Sequence, residues 1–455
     1  MTETPRISVV GLGKLGSPMA AALAAKGMTV VGVDADSAKV EAIQQGRPPV
    51  FEPDLAESIR LAGNRLTATS DLAQAVASTD ITFIVVATPS EPSGGFSLRY
   101  VLPVCEAIGA ALARKRSRHV VVITSTVMPG MTGGPIRETL ERASGMRVGH
   151  DFGLCYGPEF IALGSVIRDF LNPDFLLIGE SDPATGERLE ALYHAVCENR
   201  PAVVRMNFVN AEIAKLSVNT FVTTKITFAN MLARICERLP EADVDVVTRA
   251  LGLDSRIGGK YLKGAVSYGG PCFPRDNLAL AALAIEIGAP ADLAQATHRF
   301  NRAQISWLAD RVAEYLGAGE TAGVLGLTYK PNTDVVEEAV GLLLAKELLS
   351  RGISLVAYDP QGARNSVAAL GSAARLVATA EECITKSSVV VVATPWPEFA
   401  RIPAEQWGRP GAPRTVIDCW RAFGFLGQRP GISYLALGRG DLDAAPLRQS
   451  ANQNV

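Results

Sequence analysis

Cys272 stands in the run Tyr268-Gly269-Gly270-Pro271-Cys272-Phe273-Pro274-Arg275-Asp276. Two glycines and a proline precede the thiol, and a carboxylate follows four residues on. Glycines let a backbone come close to a ligand, and prolines stiffen the loop around the sulfur. A buried cysteine is usually inert packing. This one sits in a Gly/Pro loop beside Arg275 and Asp276, with no apolar periodicity around it. The chain also opens with a glycine fingerprint of the kind that holds a dinucleotide. A cysteine beside a nicotinamide suggests one reaction logic. An alcohol is oxidised to an aldehyde, trapped as a thiohemiacetal, oxidised again to a thioester, and released by water as an acid.

The fingerprint gains weight from its setting. Ile7-Ser8-Val9-Val10 reads as a buried strand, followed by Gly11-Leu12-Gly13-Lys14-Leu15-Gly16 and an Ala-rich helix from about Ser17 to Lys26. Gly27 ends that helix, and Thr29-Val30-Val31-Gly32-Val33 forms the next strand, which runs out at Asp34. This is a βαβ unit with its glycines at the first turn. Gly11, Gly13, Lys14, Leu15, Gly16 and Asp34 are therefore the expected cofactor-binding residues. Asp34 should accept hydrogen bonds from a ribose diol and repel a 2′-phosphate, which favours NAD over NADP.

Further strands follow at Ile81–Val86 and Val120–Ile123, ending in Thr88-Pro89 and Ser125-Thr126-Val127. Ligands of an open parallel sheet lie beyond the carboxyl ends of its strands. Thr88 and Thr126 are candidates to face cofactor or substrate, or else hydroxyls that cap a turn. The pattern then echoes itself. Val85-Val86-Ala87-Thr88-Pro89 recurs as Val391-Val392-Ala393-Thr394-Pro395, and Leu355-Val356-Ala357-Tyr358-Asp359 mirrors the strand ending at Asp34. The second copy lacks GxGxxG, because Gly326 leads into Leu327-Thr328-Tyr329-Lys330-Pro331. It can hold a nucleotide only by some other turn.

Between the two copies the chain reads as helical, with long helices from Ala211 to Arg238 and from Ala291 to about Tyr315. Such helices often carry a dimer interface. Lys215 and Asn219 are one turn apart and project from one face. They can stabilise an alkoxide or thiohemiacetal oxyanion, or be a solvated lysine with an unrelated polar neighbour. Glu159, in Gly157-Pro158-Glu159-Phe160, is a candidate acid or base, though glutamates are more often on the surface. The four histidines form no ligand set and no triad.

Composition bounds the rest. The 455 residues suffice for two or three domains, and a formal net charge of -2 argues against a nucleic-acid binder. Arg114-Lys115-Arg116-Ser117-Arg118 reads as a solvated helix end, with an anion site as the alternative. Seven scattered cysteines without a CxxC pair point to a reducing compartment and no structural metal. No signal-peptide core or bilayer-length apolar run is seen, so a cytoplasmic, membrane-free protein is expected. The tail after about Ala445 is polar and expected to be disordered.

Taken in order, these segments resemble the UDP-glucose/GDP-mannose dehydrogenase family along nearly the whole chain. The matching pieces are the fingerprint, Glu52-Pro53, Thr88-Pro89, Ser125-Thr126-Val127, Gly157-Pro158-Glu159-Phe160 and Ala211-Glu212 with Lys215 and Asn219. Arg256-Ile257-Gly258, the Cys272 run and Lys330-Pro331-Asn332-Thr333 complete the set. The resemblance implies a four-electron, NAD-dependent oxidation of a nucleotide sugar at C6 to a uronic acid. It implies Cys272 as nucleophile, Lys215 and Asn219 as the oxyanion pair, Glu159 as base for thioester hydrolysis, and Thr126 and Asp276 as the residues that position water. Arg275 joins Thr88 and Thr126 on the cofactor side. Glu159, Phe160, Lys215, Asn219, Arg256, Tyr261, Tyr268, Gly269 and Lys330 are implied on the UDP-sugar side, with Arg256 reaching across a homodimer.

The chain also departs from the family pattern Asn-Pro-Glu-Phe-Leu-x-Glu-Gly, with Gly157 in place of Asn and Leu163 in place of the second Glu. Arg275 replaces a lysine, Glu337 stands where an arginine is usual, and Asp418-Cys419-Trp420-Arg421 differs from the usual Asp-x-Arg. These changes point to an altered sugar pocket and slower thioester hydrolysis. The expected fold is α/β, with two Rossmann-like doubly wound domains joined by a central helical dimerisation region. Residues 1–206 would bind NAD, 207–316 would dimerise, and 317–455 would bind the nucleotide sugar. A hydroxy-acid dehydrogenase that stops after one hydride, and a nucleotide-sugar-binding regulator without turnover, are the alternative readings.

Overall fold

Runs such as Val120–Ile123 and Val389–Val392 are buried at every position. Strands of this kind belong to parallel sheets covered by helices on both faces. A computed structural model describes residues 4–409 and 411–440. The polar tail after Ala445 lies outside the described residues.

The first sheet has eight strands: β1 (Arg6–Val10), β2 (Thr29–Val33), β3 (Leu66–Thr69), β4 (Ile81–Ile84), β5 (Val120–Ile123), β6 (Gly153–Tyr156), β7 (Phe175–Glu180) and β8 (Ala202–Met206). Their order is β3-β2-β1-β4-β5-β6-β7-β8, parallel except where β6 meets β7. The order reverses between β1 and β4, which opens a crevice at their carboxyl ends. Helices pack on both faces. One face buries Leu23, Phe170 and Leu189, and the other buries Ile108, Leu140 and Phe152.

The second sheet comprises β9 (Thr321–Leu325), β10 (Ser354–Tyr358), β11 (Arg375–Leu376), β12 (Val389–Val392), β13 (Arg414–Asp418) and β14 (Ile432–Ala436). Its order, β11-β10-β9-β12-β13-β14, repeats the winding of the first six strands, and every pairing is parallel. The two Rossmann-like domains expected from the sequence are therefore present. The long helices also form, over Phe208–Cys236 and Asp292–Glu314.

The chain divides into two compact units. The first holds Met1–Val218 with Ala279–Ala289, and the second holds Asn219–Leu278 with Pro290–Val455. One expectation is corrected in the first unit. Lys115 is not a solvated end of the basic run. Its ammonium is half-buried, donates to the carbonyls of Val76 and Thr79, and lies 3.0 Å from Nδ1 of His119. Burial lowers its affinity for the proton.

Candidate active site

The first-unit crevice begins at Gly11, whose φ of +103° lies where L side chains are strained. A Cβ there would stand 2.7 Å from the carbonyl oxygen of Val85, and a Cβ at Gly16 would stand 1.8 Å from the carbonyl oxygen of Gly11. Nothing lies within 4 Å of the corresponding position at Gly13. The first glycine thus makes the turn, the third lets the helix Gly16–Ala25 pack against it, and the middle one leaves open backbone for a diphosphate. Asp34 accepts from the amides of Leu12 (2.7 Å) and Asp36 (2.9 Å) and lies 3.4 Å from Lys39. Its carboxylate keeps capacity for a ribose hydroxyl. These residues fit a dinucleotide.

The second sheet starts with a turn of the same kind and closes it. A Cβ at Gly341, in the helix Val340–Ser350, would stand 1.8 Å from the carbonyl oxygen of Gly326, just as Gly16 relates to Gly11. Asp359 occupies the place of Asp34. Its carboxylate accepts from the amides of Leu327, Thr328, Gln361 and Gly362, the hydroxyl of Thr328 and the indole of Trp396. That saturates its acceptor sites, and the residue is 2% exposed. Asp359 is a clamp for the turn and has nothing left for a ribose.

Beyond β5 and β6 lie the other first-unit candidates. Glu159 is only 9% exposed, contrary to the usual surface placement. Its Oε1 accepts from the Tyr193 hydroxyl at 3.2 Å. Burial pushes its carboxyl up to about 7, while the Tyr193 hydrogen bond and the Lys215 charge pull it back. Lys215 is 7% exposed, so it is not a solvated lysine. It donates to the Glu159 carbonyl at 2.5 Å and sits 4.5 Å from the centre of the Phe160 ring. The Thr88 hydroxyl donates to the Thr126 carbonyl at 2.7 Å, tying together the turns after β4 and β5. Thr126 is half-buried beside it.

Two buried carboxylates hold the loops around these groups. Glu52 accepts from the amides of Gly164 (2.9 Å) and Val166 (2.8 Å). Glu212 accepts from Gly130 (2.6 Å) and Thr132 (2.8 Å). Both figure in the sequence only as parts of longer motifs, where an acidic side chain gives no sign that it will be buried. Tyr193 gave no sign at all, because it reads as one more apolar position of the helix Pro183–Val196.

In the second unit Cys272 immediately precedes the helix Phe273–Glu286, and its carbonyl accepts the Asp276 amide at 2.9 Å. The thiol is exposed, whereas the other six cysteines are buried. A helix N-terminus favours negative charge placed there. Asp276, one turn on and 2% exposed, accepts from Nδ2 of Asn219 at 2.6 Å. Asn277 donates to Thr223 and to the Tyr268 hydroxyl, which further registers this helix on the long one.

The glycines before the cysteine serve packing within the protein. A Cβ at Gly269 would stand 2.1 Å from the carbonyl oxygen of Glu338, and one at Gly270 would stand 2.8 Å from the Tyr329 ring. The Gly270 amide also donates to the Glu337 carbonyl at 3.1 Å. Close packing inside the protein is thus reason enough for a glycine at both positions. They seat the cysteine loop on the segment that carries Lys330 and Glu337. Tyr268 is buried and meets Phe273 edge-on, as does the more exposed Tyr261. Lys330 lies 5.8 Å from the Tyr329 ring. Arg275 is half-buried in the first turn of the Cys272 helix. Arg256 extends into solvent and pairs with Asp254 at 2.6 Å. Among the described residues no group of His, Cys, Asp or Glu could hold a metal.

Known proteins match this arrangement. Residues 5–197, 209–303 and 323–424 match, in turn, the NAD binding, central and UDP binding domains of the UDP-glucose/GDP-mannose dehydrogenase family. The chain belongs to that family. As a member of the UDP-glucose/GDP-mannose dehydrogenases it uses NAD and acts on a nucleotide sugar. A UDP-glucose 6-dehydrogenase of Haloferax volcanii is 35% identical over 95% of this chain and 99% of its own. A GDP-mannose 6-dehydrogenase of Pseudomonas syringae pv. tomato is 35% identical over 78% of this chain and 80% of its own. The structure of a UDP-glucose dehydrogenase from Pyrobaculum islandicum superposes with a TM-score of 0.88, at 33% identity, covering 96% of this chain and 98% of that one.

Proposed function

We propose that this chain oxidises C6 of UDP-glucose or a related UDP-sugar to the carboxylate by way of a thiohemiacetal and a thioester on Cys272. The observation that carries the reading is the exposed thiol at the start of the helix Phe273–Glu286, in a chain whose other cysteines are all buried. NAD, held at Gly11, Gly13, Lys14, Leu15, Gly16 and Asp34 with Thr88, Thr126 and Arg275, supplies a hydride acceptor for each of the two oxidation stages.

The protein's own groups do the rest. The Cys272 sulfur adds to the C6 aldehyde and leaves its oxygen as an alkoxide. Lys215 and Asn219 stabilise that negative charge, as they do again when the thioester is attacked. Glu159, whose carboxyl is pushed up to about 7, takes a proton from the attacking water near neutral pH. Thr126 and Asp276 orient the water. The C–S bond then breaks, the thiolate leaves and the acid departs. Phe160, Arg256, Tyr261, Tyr268, Gly269 and Lys330 line the sugar-nucleotide side in this scheme. Glu337 and Leu163 would make its pocket differ from the usual one.

Residues 1–206, 207–316 and 317–455 are taken as the cofactor, dimerisation and nucleotide-sugar parts. The working form is a homodimer, supported by exposed Phe221, Phe228 and Ile235, spaced at sevens on the long helix with exposed Met231 on the same helix. A cytoplasmic setting is consistent with six buried cysteines that form no disulfide. Among the described residues no helix is long and apolar enough to cross a membrane.

Cys272→Ser tests the covalent scheme. Acid should vanish while some chemistry at the aldehyde level persists. Full acid production by this variant would remove the thioester from the account. A dehydrogenase stopping after one hydride would have no use for an exposed Cys272.

A further inference from the structure

We propose that Tyr193 is a positioning residue for Glu159, its hydroxyl filling the space that Gly157 leaves open and fixing the carboxylate by a hydrogen bond. The inference rests on the reading of Glu159 as the base that activates water.

Three observations meet here. Tyr193 Oη donates to Glu159 Oε1 at 3.2 Å, and both residues are buried. The tyrosine ring is held edge-on by Phe83 and Phe170, with centroids 6.5 Å and 6.4 Å away, so the hydroxyl has a fixed address. A Cβ at Gly157 would stand 3.0 Å from Cγ1 of Val122 and 3.4 Å from that hydroxyl. The resemblance puts an asparagine at position 157. Here the larger side chain is absent, and a polar atom enters from the helix Pro183–Val196 instead.

The donor direction is settled by the surroundings. Burial and the neighbouring Glu159 charge keep the phenol protonated far above neutral pH. The hydroxyl therefore gives its proton to the carboxylate and favours the ionised form. Other titratable groups around the pair within the first unit are Lys215 on the long helix, Cys155 on β6 and Cys197 after the tyrosine helix. Burial raises both thiols, Cys197 to about 11, so they stay neutral when Glu159 ionises. Lys215 contributes charge, and Tyr193 contributes the direct hydrogen bond to the carboxylate.

The test is an infrared pH titration of the ligand-free full chain. It follows the carbonyl stretch of the protonated buried carboxyl, assigned as the band lost in Glu159→Gln. Tyr193→Phe should move the midpoint upward by roughly one pH unit, about a tenfold loss of carboxylate below it. The acidic limb of acid release, measured with whichever of UDP-glucose or its relatives turns over, should follow. An unmoved or lowered midpoint in Tyr193→Phe, with the band still present, overturns the proposal even if the variant is less stable. Acid release by Glu159→Gln with an unchanged limb would instead remove Glu159 as base and leave the hydrogen-bond result to stand separately.

Discussion

Glu159 is held in a form that costs stability. Its carboxyl titrates at about 7 when folded, against 4.5 in a solvated chain, and burial is the main cause. Between those values the folded state binds the extra proton, so stability falls as pH rises through that window. The size is on the order of 3 kcal/mol. Glu159→Gln removes the charge and can still accept from Tyr193. Its melting temperature should match the parent near pH 4.5 and exceed it increasingly up to about pH 7. Thermal scans across that range that show no widening gap would contradict the burial argument. At this scale the sequence was readable only where composition itself is unusual. Cys272 stands out in a Gly/Pro loop, whereas Glu159 and Lys215 look like surface charges until the fold buries them. Glu52, Glu212 and Tyr193 acquire their roles from partners 34 to 114 positions away, which no local pattern encodes.

Elements were far more legible. Valine runs fix the strands because both faces of a parallel sheet are covered, and the breaker-free stretch read as helix from Ala211 to Arg238 forms one over Phe208–Cys236. The turn after β9 was harder. Gly326 signals its start, but Gly341, its other anchor, lies beyond an inserted segment, so the glycine spacing disappears. The same segment explains Gly269 and Gly270, whose packing partners are Glu338 and Tyr329. The long helix also carries an apolar stripe at seven-residue spacing, the pattern of a helix seam. Light scattering should give twice the 48.1 kDa of one chain. Phe228→Glu, at an exposed position, should shift the population toward single chains with little loss of fold. A parent that weighs as one chain would remove the dimer from the account.

The whole molecule repeats one winding and uses it twice differently. In the first sheet the turn after β1 leaves Gly13 open and Asp34 with spare acceptor sites. In the second, six hydrogen bonds saturate Asp359 within its own turn. Gene-scale likeness between the two halves of the sequence suggested two nucleotide domains, and the difference in their acids assigns the dinucleotide to the first. In the scheme proposed above, that crevice serves both oxidation stages, with the substrate carbon retained on Cys272 between them. The most direct test of this account is the stoichiometry of one turnover. The purified chain is given NAD and, in turn, UDP-glucose, UDP-N-acetyl sugars, TDP-glucose and GDP-mannose. NADH is counted by absorbance and the product by mass. The account predicts two NADH per sugar and a uronic acid from a UDP-sugar. One NADH per sugar, with an aldehyde or ketone as product, would contradict it.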